Sequence, residues 1–154
     1  MKKRILDFRA ALLLILVLGS TTSIARADGD DGIVRVKSAV PIAEAITRIK
    51  ADIASKGIRF FMEIDQSKLA AEAEIKRRTS TLLIFGNPPL RTQFITSNLN
   101  AGLDSPVRLL LKQDENRDVW AVWTDFDWIA WRHNIKNRAE QFKMATTVMA
   151  VSAA

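Results

Sequence analysis

From Thr81 the chain runs through Leu82-Leu83-Ile84-Phe85 without a polar interruption and then turns at Gly86-Asn87-Pro88-Pro89. A strand that does not alternate has no face to give to water, so this run predicts an interior place in a sheet. Gly86 breaks the strand, Asn87 is a favoured helix cap, and Pro88 suits a first helical turn. The chain is thereby committed to a strand–turn–helix unit, with a helix over Pro88 to Asn98 turning Leu90, Phe94 and Ile95 inward.

The remaining elements follow from periodicity. Val34 to Ser38 alternates apolar with basic residues and predicts a half-exposed strand. Ile42, Ile46, Ile49 and Ile53 recur at helical spacing between Pro41 and Lys56, and Gly57 stands where a left-handed C-cap residue is wanted. Ile58 to Asp65 alternates, with Ile58, Phe60, Met62 and Ile64 expected on one face and Arg59, Phe61, Glu63 and Asp65 on the other. Ser67 to Lys76 predicts a short helix capped by Asp65 or Gln66. Val107–Lys112 and Val119–Thr124 are joined by a polar turn as a hairpin. A helix starts at Asp125 or Asp127 and runs through Trp131, and a final one covers Ile135 to Val151. The order β-α-β-α-β-α-β-β-α-α predicts an α+β domain, a single mixed sheet of about five strands with helices packed on it.

Residues 1–27 have the pattern of a secretory signal peptide: Lys2, Lys3, Arg4 and Arg9, then an apolar run, then Ala25-Arg26-Ala27. The apolar run is too short to span a bilayer. The expected product is periplasmic or secreted, without stable membrane insertion. It would have a flexible acidic lead-in over 28–33 and one domain over 34–154. The lead-in lacks the length and distal Glu of a calcium loop. Of 23 basic and 17 acidic residues, five and one lie in 1–27, which leaves 18 against 16. Such a balance argues against nucleic acid as a partner. The run Lys76-Arg77-Arg78 reads as a solvated helix end. With no cysteine the fold must stand on its core, and thiol catalysis and Cys-based metal sites are excluded.

An ordered set of segments resembles the DUF302 family, a domain of unknown function. Leu82-Leu83-Ile84-Phe85-Gly86-Asn87-Pro88 is similar to its apolar strand and Phe-Gly-Asn-Pro. Phe60 to Asp65 is similar to its strand ending in Ile-Asp. Leu103-Asp104-Ser105-Pro106-Val107-Arg108 and Ile129-Ala130-Trp131-Arg132-His133 are similar to two later segments. The resemblance covers roughly Val34 to Ile135. It implies a compact α+β domain, often a homodimer, with no established activity. The chain departs from the family pattern at Gln66, where His is common, and at Ser105, Trp128 and Asn134. Asn134, in place of Gly, is tolerable in a left-handed position.

The residues that could carry chemistry each have a plainer reading. Phe85, Asn87 and the turn between them invite an anion site at a helix N-terminus. However, Pro88 and Pro89 have no N–H to offer, and Asn87 caps the helix better than it binds a ligand. Glu63 and Asp65 are paired carboxylates on one strand face, with Arg59 alongside to keep both ionised. His133 is the only histidine, so any His-based chemistry must use it; with no cysteine, no metal site or cofactor is expected. Trp120, Trp123, Trp128 and Trp131 fall within twelve residues. They form core and a dimer contact, or one wall of an apolar pocket.

The expected function is therefore a binding module for an apolar or aromatic small ligand, a homodimeric envelope protein, or both. Its ligand residues would be Phe85, Asn87, Trp123, Trp128, Trp131 and His133. Two alternatives are a hydrolase-type enzyme using Glu63, Asp65 or His133, and a structural partner of another envelope protein.

Overall fold

The computed structural model describes residues 31–153; the signal peptide expected at 1–27 lies outside the described residues. Strands β1 (Ile33–Lys37), β2 (Arg59–Asp65), β3 (Ser80–Gly86), β4 (Val107–Gln113) and β5 (Val119–Thr124) form one sheet in the order β1-β5-β4-β3-β2. The helices are α1 (Ile42–Ser55), α2 (Gln66–Glu72), α3 (Pro88–Ser97), α4 (Phe126–Arg132) and α5 (Ala139–Ala153). A 3-10 helix, Leu99–Asp104, precedes β4.

The α+β class and the order of elements agree with the sequence reading, and β3 is interior. The expected mixed sheet is corrected: every neighbouring pair is antiparallel. β1 and β2 point the same way, but they lie at opposite edges, so the pair that would have been parallel never meets.

The sheet has two unlike faces. On one, Val34, Leu83, Phe85, Leu109, Leu111, Ala121 and Trp123 are buried. Against them pack Ile42, Ala45, Ile49 and Ile53 of α1, Phe94 of α3, Phe126 and Ile129 of α4, and Phe142, Ala145 and Met149 of α5. The Phe94 and Phe142 rings stack at 4.2 Å between centroids. On the other face the register aligns Ile64, Leu82, Leu110 and Val122 in one row across four strands. These residues stay half-buried and outside the core cluster.

At the edge, β2 departs from the expected alternation. One extra residue lies between Phe60 and Met62 opposite Phe85 and Ile84. This bulge puts Phe60 and Glu63 on the helix-covered side with Phe85 and Leu83, and Met62 and Ile64 on the open side.

Three helices end in the same way. After α1, α2 and α4 a residue in the left-handed region (Gly57, Glu74, Asn134) reverses the chain. In each, the amide of the following isoleucine returns to a carbonyl of the last turn: Ile58 to Ile53, Ile75 to Ala70, Ile135 to Ala130. The roles expected of Gly57 and Asn134 are thus met. α2, however, stops at Glu72 rather than Lys76, because Glu74 ends it without the glycine signal. Nor is the end of the acidic lead-in loose. Asp31 accepts from Ile33 N and Arg35, Gly32 accepts from Asp125 N, and Gly32 lies under the Trp128 ring with no room for a Cβ.

Candidate functional site

β3 ends at Gly86, β4 begins at Val107 and β5 delivers the chain to α4, so three loops gather at one end of the sheet. Caps fix each of them. Asn87 Oδ1 accepts from Leu90 N at 3.2 Å, and Asp125 Oδ1 accepts from Asp127 N and Trp128 N at 2.7 and 3.1 Å. Asn98 Oδ1 accepts from Asn100 N, while its amide nitrogen donates to the His133 carbonyl at 2.8 Å. Asn98 thereby ties the start of the 3-10 helix to the end of α4.

Between these loops and α5 lies a cavity of about 50 Å³. Its walls are Phe94, Ala101, Phe126, Ile129, Phe142 and Ala145. Its polar groups are few: Asn87, Arg91, Asp104 and Ser105. Since the Asn87 side-chain oxygen is taken by the cap, its amide nitrogen is the group left to face a ligand. Pro106, joined to Ser105 by a cis peptide, completes the lip.

Asp104 is the polar centre of this end. Its side chain is only 4% exposed and accepts from His133 Nε2 at 2.6 Å. Arg108 Nη2 donates to it at 3.2 Å and Arg132 Nη1 at 3.2 and 3.3 Å. His133 is as deeply buried as Asp104, whereas both arginine side chains are half-exposed. A buried carboxylate is costly unless paired and hydrogen-bonded, and this one has three partners. Two guanidiniums against one carboxylate leave a surplus of positive charge facing solvent. The arrangement orients an imidazole and braces the cavity's lip. Among the described residues, no buried side-chain polar atom lacks a partner.

Of the residues singled out from sequence, Asn87 lines the cavity, and His133 reaches it only through its bond to Asp104. Trp123 is buried and lines a small depression beside it with Asp104 and Arg108. Phe85 is core. Trp128 and Trp131 face together, 4.8 Å between ring centroids, but neither lines the cavity, and Trp131 is 72% exposed. Glu63 and Asp65 are not brought to His133. Glu63 pairs with Lys50 rather than Arg59, which instead covers the Phe61 ring. Asp65 caps α2 through Lys68 N at 2.9 Å, and that bond holds its carboxyl below the usual range. Among the described residues, no three of His, Asp and Glu gather to hold a metal ion.

Asp104, Arg91, Arg108 and Arg132 were not singled out as site residues from sequence. Three of these four stand inside the quoted segments Leu103–Arg108 and Ile129–His133. With Gly86-Asn87, those segments meet around one cavity.

Residues 34–151 match the family described as "Domain of unknown function DUF302". A crystal structure of an uncharacterized conserved DUF302 protein from Bacillus stearothermophilus superposes with a TM-score of 0.72 at 15% identity. The match covers 80% of this chain and 96% of that one. Over 106 residues the chain is 36% identical to Fluoride-specific ion channel FluC 1 of Brucella suis biovar 1 (strain 1330), which is 69% of this chain and 42% of the channel. The same identity holds for FluC 1 of Brucella abortus biovar 1 (strain 9-941), over 39% of its length. The chain thus spans about two fifths of these relatives.

Proposed function

Because the chain belongs to the DUF302 family, which is described only as a domain of unknown function, we propose that it is a binding module that takes a small, mainly apolar ligand into the cavity beside Asp104. The observation that carries this reading is the cavity itself: apolar walls with a few converging polar groups are the usual make-up of a ligand site. Its volume bounds the ligand. An apolar cavity of about 150 Å³ accepts benzene, so a space one third that size suits a few heavy atoms and admits an aromatic ring only by opening. Asn87 and Arg91 would receive its polar end. The fluoride channel activity named for the Brucella relatives belongs to proteins more than twice as long as the matched segment. Export after Ala27 is part of the same proposal, supported by the pattern of residues 1–27, and N-terminal sequencing of the exported form tests it.

Native mass spectrometry of the purified protein tests the cavity. A bound small molecule is expected on the wild type and absent from Ala101→Ile, which fills the space at a cost of about 1–3 kcal/mol. A wild type with no bound mass, and no change in melting temperature across a panel of small carboxylic acids, sinks the reading.

A second reading, homodimerisation, is favoured by the open sheet face. The row Ile64, Leu82, Leu110 and Val122, with Ile84 and Met62 beside it, is apolar and only partly buried. Sheets stack face to face about 10 Å apart with their apolar rows meeting. Sedimentation of the wild type and Leu110→Lys is the check. A dimer that falls to a folded monomer supports it, and a monomeric wild type removes it.

A further inference from the structure

At the other end of β3, about 20 Å from the cavity end given six steps between seven residues at about 3.4 Å each, the connection Ile75–Thr79 runs in irregular conformation. Thr79 O accepts from Gln113 N at 3.0 Å and fixes the segment to the end of β4. Lys76, Arg77 and Arg78 then share an open groove with Lys112. Lys76 and Arg77 also border the adjoining depression, which Ile75 lines. The acidic neighbours are fewer: Glu74 in that depression, and Glu115 at 3.5 Å from Arg78.

Ile75 is the informative residue. It occupies the same position in its helix ending as Ile58 and Ile135 do in theirs. That position normally carries an apolar side chain folded back against its own helix. Ile135 is buried and Ile58 packs on the core, but Ile75 is 61% exposed. A side chain that two equivalent motifs bury is left in water in the third, next to a row of cations.

We propose that this corner is a peripheral docking site for an anionic lipid surface. Phosphate headgroups would meet Lys76, Arg77, Arg78 and Lys112, and Ile75 would enter the hydrocarbon boundary. A lipid interface offers anionic oxygens and an apolar layer side by side, which a nucleic-acid backbone does not. The site is independent of the cavity reading.

The test is co-sedimentation of the full chain with phosphatidylglycerol vesicles and with phosphatidylcholine vesicles at two salt concentrations. Residues 1–30 are common to every variant compared, so the patch is read from the differences. Each Lys or Arg near such a surface contributes about fivefold in partition. Lys76→Glu/Arg77→Glu/Arg78→Glu should therefore weaken binding to the anionic vesicles more than tenfold. Ile75→Ser should weaken it severalfold with less dependence on salt. Neither should change binding to the zwitterionic vesicles or the melting temperature, because the side chains replaced are exposed. Equal binding by wild type and charge variant overturns the proposal. So does a patch that holds heparin or a single-stranded oligonucleotide but not anionic vesicles, which would assign it to a soluble polyanion.

Discussion

Leu109 and Leu110 are neighbours on β4 and chemically identical, yet Leu109 is 0% exposed and Leu110 half-buried. The pleat turns one to the helix-covered face and the other to the open face. Each face is apolar in its centre; they differ in what covers them. On the covered side four helices bring isoleucines and phenylalanines onto the strands. On the open side, among the described residues, α2 meets only the end of β3, through Gln66 and Ser67 at Ser80, and buries no side chain of its own. Sequence hydrophobicity therefore does not by itself rank the worth of a residue in this fold.

The largest expected effect follows directly. Leu109→Ala should lower stability by about 2–5 kcal/mol, the range for a buried leucine in a packed core. Leu110→Ala should cost about 1 kcal/mol or less in dilute solution, because partly exposed side chains gain less on folding. Urea titrations at two protein concentrations check the pair. If the open face joins two copies, the Leu110→Ala cost grows with concentration. Equal costs at high dilution would break the comparison.

Next in size is Asp104, at the end of the covered face. Asp104→Ala strips His133 of its buried partner and leaves Arg108 and Arg132 unpaired. Removing one member of a buried pair costs about 3–5 kcal/mol. Here the two arginines can turn to water, so the lower end, about 3 kcal/mol, is expected. Asp104→Asn keeps the acceptor and should cost less. If Asp104→Ala melts like the wild type, the brace at the cavity's lip is not structural.

This cluster shows how far the chain could be read. Strands, helices and caps were legible because their signals are local: Asn87 before two prolines, Asp125 before an apolar turn, Gly57 after a helix. The pairing Asp104–His133 joins residues 29 apart, brought together only when the β4–β5 hairpin reverses and α4 folds back. Nothing in the spacing of either segment announces the contact. The bulge after Phe60 and the left-handed Glu74 were equally silent, since no glycine or proline marks them. The all-antiparallel order depended on which edge β1 would take, and alternation is blind to that.

Asn87 comes third. It caps α3, the helix that brings Phe94 to the covered face, so Asn87→Ala should cost about 1 kcal/mol and Asn87→Asp almost nothing. Thermal melts with native mass spectra separate its two roles. Loss of bound ligand in both variants without loss of stability would make Asn87 a ligand contact and no longer a cap.

The smallest effect belongs to the open face and is a matter of pH. Trp120 stands on that face, and its indole Nε1 donates to Asp114 Oδ2 at 2.8 Å. This bond is the main reason that the Asp114 carboxyl sits below its usual range; partial burial opposes it, and the amides of Asp118 and Asn116 add to the lowering. A carboxyl with a folded value below its unfolded one binds fewer protons in the folded state. Its contribution is therefore present in full above the ordinary carboxylate value, and it is lost as pH falls through the lowered folded one. Asp114→Asn should lose that contribution at neutral pH, a small loss because the hairpin turn is exposed, and so flatten the acid limb of stability below the ordinary carboxylate range. Trp120→Phe, which removes the indole donor together with part of the ring, should do part of the same. Chemical denaturation across that range checks it. If both variants follow the wild-type acid limb, Asp114 does not hold Trp120 in solution, and the indole has no anchor at the hairpin turn.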